Sequence, residues 1–189
     1  MGHHSAAEET RRLDIVTLGR ASVDLYGEQV GGRLEDMASF AKYVGGSPTN
    51  TAVGAARLGL GAAIVTRVGG DHFGRFIREE LGRERVDTAG ITVDPDRLTA
   101  LAILGIRDPD TFPLIFYREN CADMALVPDD IDPALIARAG AVLVNGTHLS
   151  QPGVHAASMK AAELMKAQGG RVVFDIDYRP VLWGLAARD

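Results

Sequence analysis

The chain has 189 residues, of which 46% are hydrophobic and 24% are charged, a composition typical of a folded globular protein. Asp and Glu number 25 against 20 Lys and Arg, and the net charge of -5 excludes a strongly basic surface for nucleic acid or anionic membrane. No apolar run approaches the roughly 20 residues that a membrane span needs. The single cysteine, Cys121, allows no internal disulfide, which is typical of a reducing compartment and predicts a cytoplasmic protein.

Residues 1–12 begin with MGHHSAAEET and are predicted to be a flexible leader. Beyond them, apolar strand-like runs alternate with amphipathic segments, a pattern that predicts an α/β domain with buried parallel strands. The predicted strands lie at 13–19, 62–69, 141–146 and 171–176. A helix is predicted after the second strand, and another between the third and fourth strands, closed by two glycines at 169–170.

Two stretches do not fit this alternation. FAKYVGG precedes the first helix, and residues 98–120 form two strand-like runs around the turn Asp108-Pro109-Asp110-Thr111. So short a connection does not allow the two strands to lie parallel. The sequence therefore predicts a small second sheet, placed as a flap over the functional site.

A pair of glycines stands before the first helix. Ser47 is predicted to be the helix N-cap and Pro48 its first residue, so that Asn50 lies in the first turn. Gly45 and Gly46 lack a Cβ atom and would let a ligand approach the backbone, and the amide of Asn50 offers a donor and an acceptor to sugar hydroxyls. A tight turn with a solvated asparagine explains the same residues equally well.

Asp24 follows the first predicted strand by a few residues, near the carboxyl end where open α/β sheets bind ligands. A carboxylate at this place can accept hydrogen bonds from two sugar hydroxyls. The alternative is a loop aspartate that bonds its own turn, and the sequence by itself favours this alternative slightly.

The segment VGGSPTNTAVGAARLGLGAAIVTRVGGDHFG resembles the first signature of the PfkB (ribokinase-like) carbohydrate kinases. The resemblance extends from Leu13 to Trp183, nearly the whole chain. It implies a central, mostly parallel sheet flanked by helices, with a small β-sheet lid formed from about 28–46 and 98–120. It also implies a sugar substrate, ATP and Mg²⁺ as cofactors, and the possibility of a homodimer through the lid.

The resemblance also implies roles for individual residues. Carried over position by position, the sugar-binding residues are Asp24, Gly45, Gly46 and Asn50. The segment FYREN resembles the YYR stretch of 2-keto-3-deoxygluconate kinases, so that Tyr117 and Arg118 would reach the substrate.

Residues 175–179 resemble the D-x-N-x-R stretch of the same kinases, in which the arginine lies beside the acidic or keto end of the substrate. The resemblance therefore assigns Arg179 to that end. Guanidinium groups bind carboxylates bidentately, although a surface salt bridge is the usual fate of an arginine. Asp177 departs from the pattern, because it stands where those kinases have an asparagine facing the nucleotide phosphates. A carboxylate there would repel phosphate unless Mg²⁺ or another cation lay between them.

Within the family, LGRASVDLYGEQ, FAKYVGGSPTNTAVG and FDIDYRPVLW most resemble the 5-dehydro-2-deoxygluconokinases of myo-inositol catabolism. Arg20 contributes to this narrower resemblance, because relatives often carry Glu or Asn at its position. The implied activity is ATP-dependent phosphorylation of a keto-deoxy sugar acid. A 2-keto-3-deoxygluconate kinase, a fructokinase and a non-catalytic sugar-binding module remain alternatives.

Several family features do not occur in these 189 residues. The late GAGD-like motif, whose aspartate takes the proton from the sugar hydroxyl, is absent, as is the N-x-x-E stretch associated with Mg²⁺ and phosphate. We therefore expect an N-terminal part of a longer protein, with ATP and Mg²⁺ bound mainly by a C-terminal half and with no catalytic base in this chain. His72, His148 and His155 have no metal-ligand spacing, and Cys121 is predicted to be a packed residue rather than a nucleophile.

Overall fold

The structure, a computed structural model, describes residues 12–185, so all but the last residue of the predicted leader at 1–12 lies outside the described residues. Within this range the chain forms nine β-strands and four α-helices. The strands are β1 Leu13–Leu18, β2 Ser22–Gly27, β3 Phe40–Gly45, β4 Ala62–Gly69, β5 Ile91–Asp94, β6 Ala100–Leu104, β7 Leu114–Tyr117, β8 Ala139–Asn145 and β9 Arg171–Asp175. The helices are α1 Ser47–Arg57, α2 His72–Arg83, α3 Pro133–Ala137 and α4 Pro152–Ala167.

Five strands form the central sheet in the order β5-β4-β1-β8-β9, and every pair in it is parallel. The prediction of an α/β domain with buried parallel strands is thereby confirmed. The strand β5 was not predicted, because it has only four residues, of which Thr92 and Asp94 are not apolar, and it gives no continuous apolar run.

Helices cover both faces of the central sheet. The apolar side chains of β4 alternate between two cores, so that Ala63 and Val65 pack on the side of α3 and α4. Ile64 and Val68 pack on the opposite side, against α1 and α2. Because both faces are covered, β4 is apolar at almost every position, as expected for a parallel strand in a three-layer α/β/α arrangement.

Four strands form a second, smaller sheet in the order β3-β2-β6-β7. The pairs β2–β3 and β6–β7 are antiparallel, while β2 and β6 are parallel. The two strands predicted within 98–120 are thereby confirmed. The sheet also includes β2, at Ser22–Gly27, which precedes the predicted lid boundary at residue 28. The function of this sheet as a lid stays a prediction.

The segment VGGDHFG joins the two sheets. Asp71 is the N-cap of α2, where its carboxylate accepts a hydrogen bond from the Gly74 N–H at 2.8 Å. The same carboxylate accepts from the backbone N–H of Thr99 at 2.7 Å and from its hydroxyl at 2.9 Å. Since Thr99 directly precedes β6, this carboxylate fixes where the small sheet leaves the central one.

Candidate functional site

Asp24 lies on β2, and its carboxylate is held over the backbone of Gly45. A Cβ atom at Gly45 would come closer than 3.0 Å to three atoms of that carboxylate, a separation that real Cβ atoms do not show. The Ser22 hydroxyl donates to Oδ1 of Asp24 at 3.1 Å. Burial raises the pKa of Asp24, although Arg20 and the Ser22 hydroxyl act in the opposite direction. The glycine at position 45 is therefore explained by the place of this carboxylate.

Gly46 has a different structural reason. Its φ of 110° is in the region that favours glycine, and a Cβ atom would overlap the carbonyl oxygen of Arg20. The same carbonyl accepts a hydrogen bond from the Thr49 hydroxyl at 2.8 Å. Gly46 is also the N-cap of α1, so the prediction that Ser47 is the cap was wrong by one residue. The Ser47 hydroxyl instead donates to Oδ2 of Asp175 at 3.1 Å.

Asn50 lies in the first turn of α1, as predicted. Its side chain is exposed, and no hydrogen bond among residues 12–185 involves its amide. The backbone N–H of Asn50 donates to the Gly46 carbonyl at 2.8 Å, an ordinary helical bond. The amide is therefore available to a ligand, and its role in binding one stays a prediction.

Two arginines and an aspartate form a cluster beneath the small sheet. Arg118 is only 4% exposed, and its Nε and Nη2 atoms each lie 2.7 Å from Oδ2 of Asp123. The guanidinium carbon of Arg20 lies 5.2 Å from the centroid of the Phe116 ring, within range of a cation–π contact. The Nη1 atoms of both arginines are buried and have no hydrogen-bond partner in the described part of the chain.

His148 supports this cluster from below. Its ring is fully buried, and burial together with the nearby Arg118 and Arg20 holds its pKa well below 6.5, so the imidazole is neutral. The Nδ1 atom accepts a hydrogen bond from the backbone N–H of Arg20 at 3.4 Å. A Cβ atom at Gly19 would lie closer than 3.0 Å to this ring, so Gly19 and His148 together fix the backbone from which Arg20 extends.

A cavity of about 580 Å³ adjoins the cluster. Its lining includes Arg97, Phe116, Arg118, Met124, Gln151 and Leu182. The volume falls within the range of small-molecule sites, which combine apolar walls with a few charged groups. Tyr117 is 57% exposed and borders a second cavity of about 580 Å³, which also touches Phe116 and Arg118.

The carboxyl ends of β8 and β9 carry a further polar network. The Asn145 side chain donates to Oδ2 of Asp175 at 2.8 Å and to the Ser47 hydroxyl at 3.0 Å. This network joins the start of α1 to the edge of the central sheet. The sequence analysis did not assign Asn145 or Asp175, although a polar residue that closes an apolar strand is a usable signal for a ligand-facing edge.

Asp177 and Arg179 lie beyond β9. The Nε atom of Arg179 is 3.3 Å from Oδ1 of Asp177, and the Arg179 side chain is 63% exposed. The Thr147 hydroxyl donates to Oδ2 of Asp177 at 3.0 Å and to its carbonyl at 2.7 Å. Arg179 thus holds a surface ion pair, whereas Arg118 is buried.

The sequence profile of the pfkB family of carbohydrate kinases matches residues 12–189. The chain belongs to that family. A curated relative, the 5-dehydro-2-deoxygluconokinase of Shouchella clausii, is 40% identical over 177 residues, which cover 93% of this chain and 54% of the relative. The chain therefore spans about half the length of the curated relatives that it matches.

Solved structures agree with the family assignment. A PfkB protein from Polaromonas sp. JS666 is 31% identical with a TM-score of 0.85, over 90% of this chain and 58% of that one. A putative ribokinase II from E. coli, in complex with ATP and Mg²⁺, is 26% identical with a TM-score of 0.82, over 89% of this chain and 54% of that one. The prediction of a ribokinase-like fold is thereby confirmed, and members of the fold are seen to bind ATP and Mg²⁺.

The structure brings some predicted site residues together and leaves others apart. Asp24 lies against Gly45, and Asp177 pairs with Arg179, but no hydrogen bond in the described part of the chain joins the Asn50 side chain to either pair. Sequence analysis did not assign roles to Asp123 and His148. The hydrogen bond from Arg20 to His148 spans 128 residues, so no local pattern could have found it, whereas Asp123 lies only five residues after its partner Arg118. No helix within residues 12–185 is both long and apolar enough to cross a membrane.

Proposed function

We propose that the protein containing this chain phosphorylates a keto-deoxy sugar acid with ATP, and that its substrate is 5-dehydro-2-deoxy-D-gluconate in myo-inositol catabolism. Membership of the pfkB family supports the kinase activity, and the name of the relative at 40% identity supports the substrate. One observation carries the sugar site, namely the Asp24 carboxylate seated over Gly45 beside the first turn of α1.

Asp24 binds sugar hydroxyls in this proposal. Ser22 occupies only Oδ1, so the carboxylate retains acceptor positions for two hydroxyl donors. Burial without enough donors makes the charged form costly, which agrees with the raised pKa of Asp24. Gly46 and the exposed amide of Asn50 complete the hydroxyl-binding side, together with Gly45.

The other end of the substrate, which carries the carboxylate, lies towards Arg118, Tyr117 and Arg179. Arg118 lines the cavity next to Phe116, and its orientation is fixed by two contacts with Asp123. Tyr117 and Arg179 are both more than half exposed, so they are free to move onto a bound substrate. Closure of the small sheet as a lid would then exclude water from the transferred phosphoryl group.

The proposal includes ATP and Mg²⁺ as cofactors because the chain belongs to the pfkB family. Within residues 12–185 no group of three or more His, Cys, Asp or Glu side chains is arranged to hold a metal ion. Asp177 is already paired with Arg179, so the described residues do not by themselves form a Mg²⁺ site. We assign ATP and Mg²⁺ mainly to residues outside this chain, in the C-terminal half that the family resemblance implies.

The proposal also covers the cellular location and the oligomeric state of the enzyme. The protein acts in the cytoplasm, where ATP and a sugar catabolite are both available. A homodimer formed through the small sheet would place the lids of two subunits against each other. Exposed aromatic residues on β3 of that sheet, Phe40 and Tyr43, support such a contact.

The test is a coupled assay of ADP release by the full-length product of the gene that encodes this sequence. The substrates are 5-dehydro-2-deoxy-D-gluconate, 2-keto-3-deoxygluconate and fructose, and we expect the highest kcat/KM for the first. Asp24→Asn should lower kcat/KM by about 10- to 100-fold because a charge-assisted hydrogen bond is lost. The control Arg83→Gln, in an exposed i,i+3 pair on α2, should leave it unchanged.

The rival functions give different results in the same assay. A preference for fructose would make the protein a neutral-sugar kinase and refute the proposed substrate. Binding of a sugar acid by calorimetry with no ADP release under any condition would favour a non-catalytic sugar-binding module.

A further inference from the structure

Arg20 stands at the carboxyl end of β1, the middle strand of the central sheet. Ligands of open α/β sheets bind outside the carboxyl ends of the strands. The residue lies between β1 of the central sheet and β2 of the small sheet, where a substrate would be enclosed. Its side chain is partly exposed, while its Nη1 atom is fully buried.

Arg20 forms no direct ion pair with any carboxylate among residues 12–185. Its guanidinium group makes no salt bridge within 4.0 Å and no side-chain hydrogen bond among residues 12–185, and its carbon lies 5.2 Å from the centroid of the Phe116 ring. Burial and the second cation, Arg118, lower the pKa of Arg20, while three carboxylates that are not in direct contact act in the opposite direction: Asp24, Asp123 and Asp177. Arg118, in contrast, has both Nε and Nη2 on Asp123.

The protein nevertheless holds Arg20 rigidly. Its carbonyl accepts from the Thr49 hydroxyl at 2.8 Å, and its N–H donates to the neutral ring of His148 at 3.4 Å. Gly46 and Gly19 have no Cβ atom where one would displace this carbonyl and this ring. The backbone of Arg20 is therefore fixed, and the guanidinium group is restrained by the Phe116 ring. A partly desolvated cation without a direct ion pair on a fixed backbone is preorganised for an anion that arrives with a ligand.

We propose that Arg20 binds the carboxylate of the sugar acid and sets the preference of the site for acids over neutral sugars. The inference rests on the proposed function and deepens it. The carboxylate would lie between Arg20 and the cavity lined by Phe116 and Arg118, and the hydroxyls would lie towards Asp24. Asp24 repels the carboxylate, so the two residues together orient the substrate along one direction only.

This assignment gives different roles to the arginines. The charge of Arg118 is balanced by its ion pair with Asp123, so Arg118 lines the cavity and positions the site rather than providing the free cation. Arg179 is 63% exposed and bound to Asp177, so its contribution to acid binding is the smaller one. Arg20 is the specificity-determining residue.

The experiment compares the acid with its C1 primary amide, which has the same shape and no charge. Substrate affinity is measured by calorimetry, and kcat/KM by ADP release, on the full-length gene product. Wild type should prefer acid over amide by about 10- to 100-fold, as expected for a charge-assisted bidentate contact. Arg20→Gln should reduce this preference to about threefold or less, mainly by weakening acid binding.

Two further variants make the test specific. Arg20→Lys keeps the charge and loses the planar fork, so it should retain a preference intermediate between wild type and Arg20→Gln. Arg83→Gln removes an exposed arginine elsewhere and should leave the ratio of acid to amide unchanged. Circular dichroism and a thermal melt verify that each variant is folded. If Arg20→Gln does not fold, the ratio of acid to amide for Arg20→Lys is compared with that of wild type instead.

The outcomes separate this inference from the proposed function. If Arg20→Gln leaves the ratio of acid to amide affinity unchanged, whether or not both affinities fall, the role of Arg20 is overturned while the kinase assignment stands. Acid binding that depends on Arg20, without ADP release, would support the role of Arg20 and overturn the proposed reaction. Absence of acid binding by wild type would overturn both.

Discussion

Replacing Gly45 by alanine should damage the site without damaging the fold. The φ of Gly45 is not in the region reserved for glycine, so alanine is compatible with the backbone. Its Cβ atom, however, would lie closer than 3.0 Å to three carboxylate atoms of Asp24. The Asp24 side chain can turn away, which relieves the clash but removes the carboxylate from its place.

The magnitude follows from what Asp24 loses. Turning away breaks the 3.1 Å hydrogen bond from the Ser22 hydroxyl, a cost of about 1 kcal/mol in the free energy of unfolding. A bound sugar loses at least one charge-assisted hydrogen bond, which corresponds to roughly 1.5–3 kcal/mol of binding free energy. Gly45→Ala should therefore weaken sugar binding by about 10- to 100-fold while lowering stability only slightly.

The assay is calorimetric titration with the sugar acid, paired with urea unfolding. Gly54→Ala is the matched control, because Gly54 lies in α1 with no atom within 4 Å of its missing Cβ. That variant should bind normally and gain roughly 0.5–1 kcal/mol of stability from the better helix former. A double-mutant cycle with Asp24→Ala should be non-additive, since alanine at position 45 has nothing to displace once the carboxylate is gone. Normal sugar binding by Gly45→Ala, or strictly additive losses in the cycle, would refute the reasoning.

Three other predictions concern charge and protonation. Arg179→Ala should raise KM for the acid by less than about fivefold, because an exposed ion pair contributes only about 0.2–1 kcal/mol. If Arg179→Ala weakens acid binding more than Arg20→Gln does, the roles assigned to the two arginines are reversed. His148 is neutral in the folded protein, because its pKa there is well below the 6.5 of the unfolded chain. The unfolded state therefore binds more protons than the folded state below pH 6.5. The free energy of unfolding should fall in that range by up to about 1.4 kcal/mol per pH unit. Urea unfolding between pH 7 and 5 should show this slope in wild type and a shallower one in His148→Gln, and equal slopes would contradict the buried neutral ring. Burial and Asp123 raise the pKa of Cys121 to about 11, so iodoacetamide should label the native protein slowly at pH 7.5, and rapid labelling would show that the thiol is not buried.

Local patterns in the sequence predict most of the central sheet and the helices. The strands β1, β4, β8 and β9 were predictable because both of their faces, or the greater part of them, are apolar in the sequence. The strand β2 was missed because Asp24, the residue proposed to bind the sugar, interrupts its apolar residues. The helix N-cap was displaced by one residue, because Gly46 takes the cap position that the geometry at the Arg20 carbonyl requires.

The candidate site was only partly predictable. Resemblance to the family points to Asp24, the glycine pair and Asn50, and the structure adds the reason for each glycine. The support of Arg20 by His148 could not be predicted, since the two residues are 128 apart along the chain. Arg118 and Asp123 are only five residues apart, and their pairing was not assigned. Sequence analysis assigned both Arg118 and Arg179 to the substrate, and the structure adds that Arg118 is buried whereas Arg179 is exposed.

A crystal structure of the full-length protein with the sugar acid bound is the most direct measurement. It should show two substrate hydroxyls within about 3.2 Å of the Asp24 carboxylate and the substrate carboxylate against the guanidinium group of Arg20. A sugar bound elsewhere, with both of these side chains facing only solvent, would contradict the account.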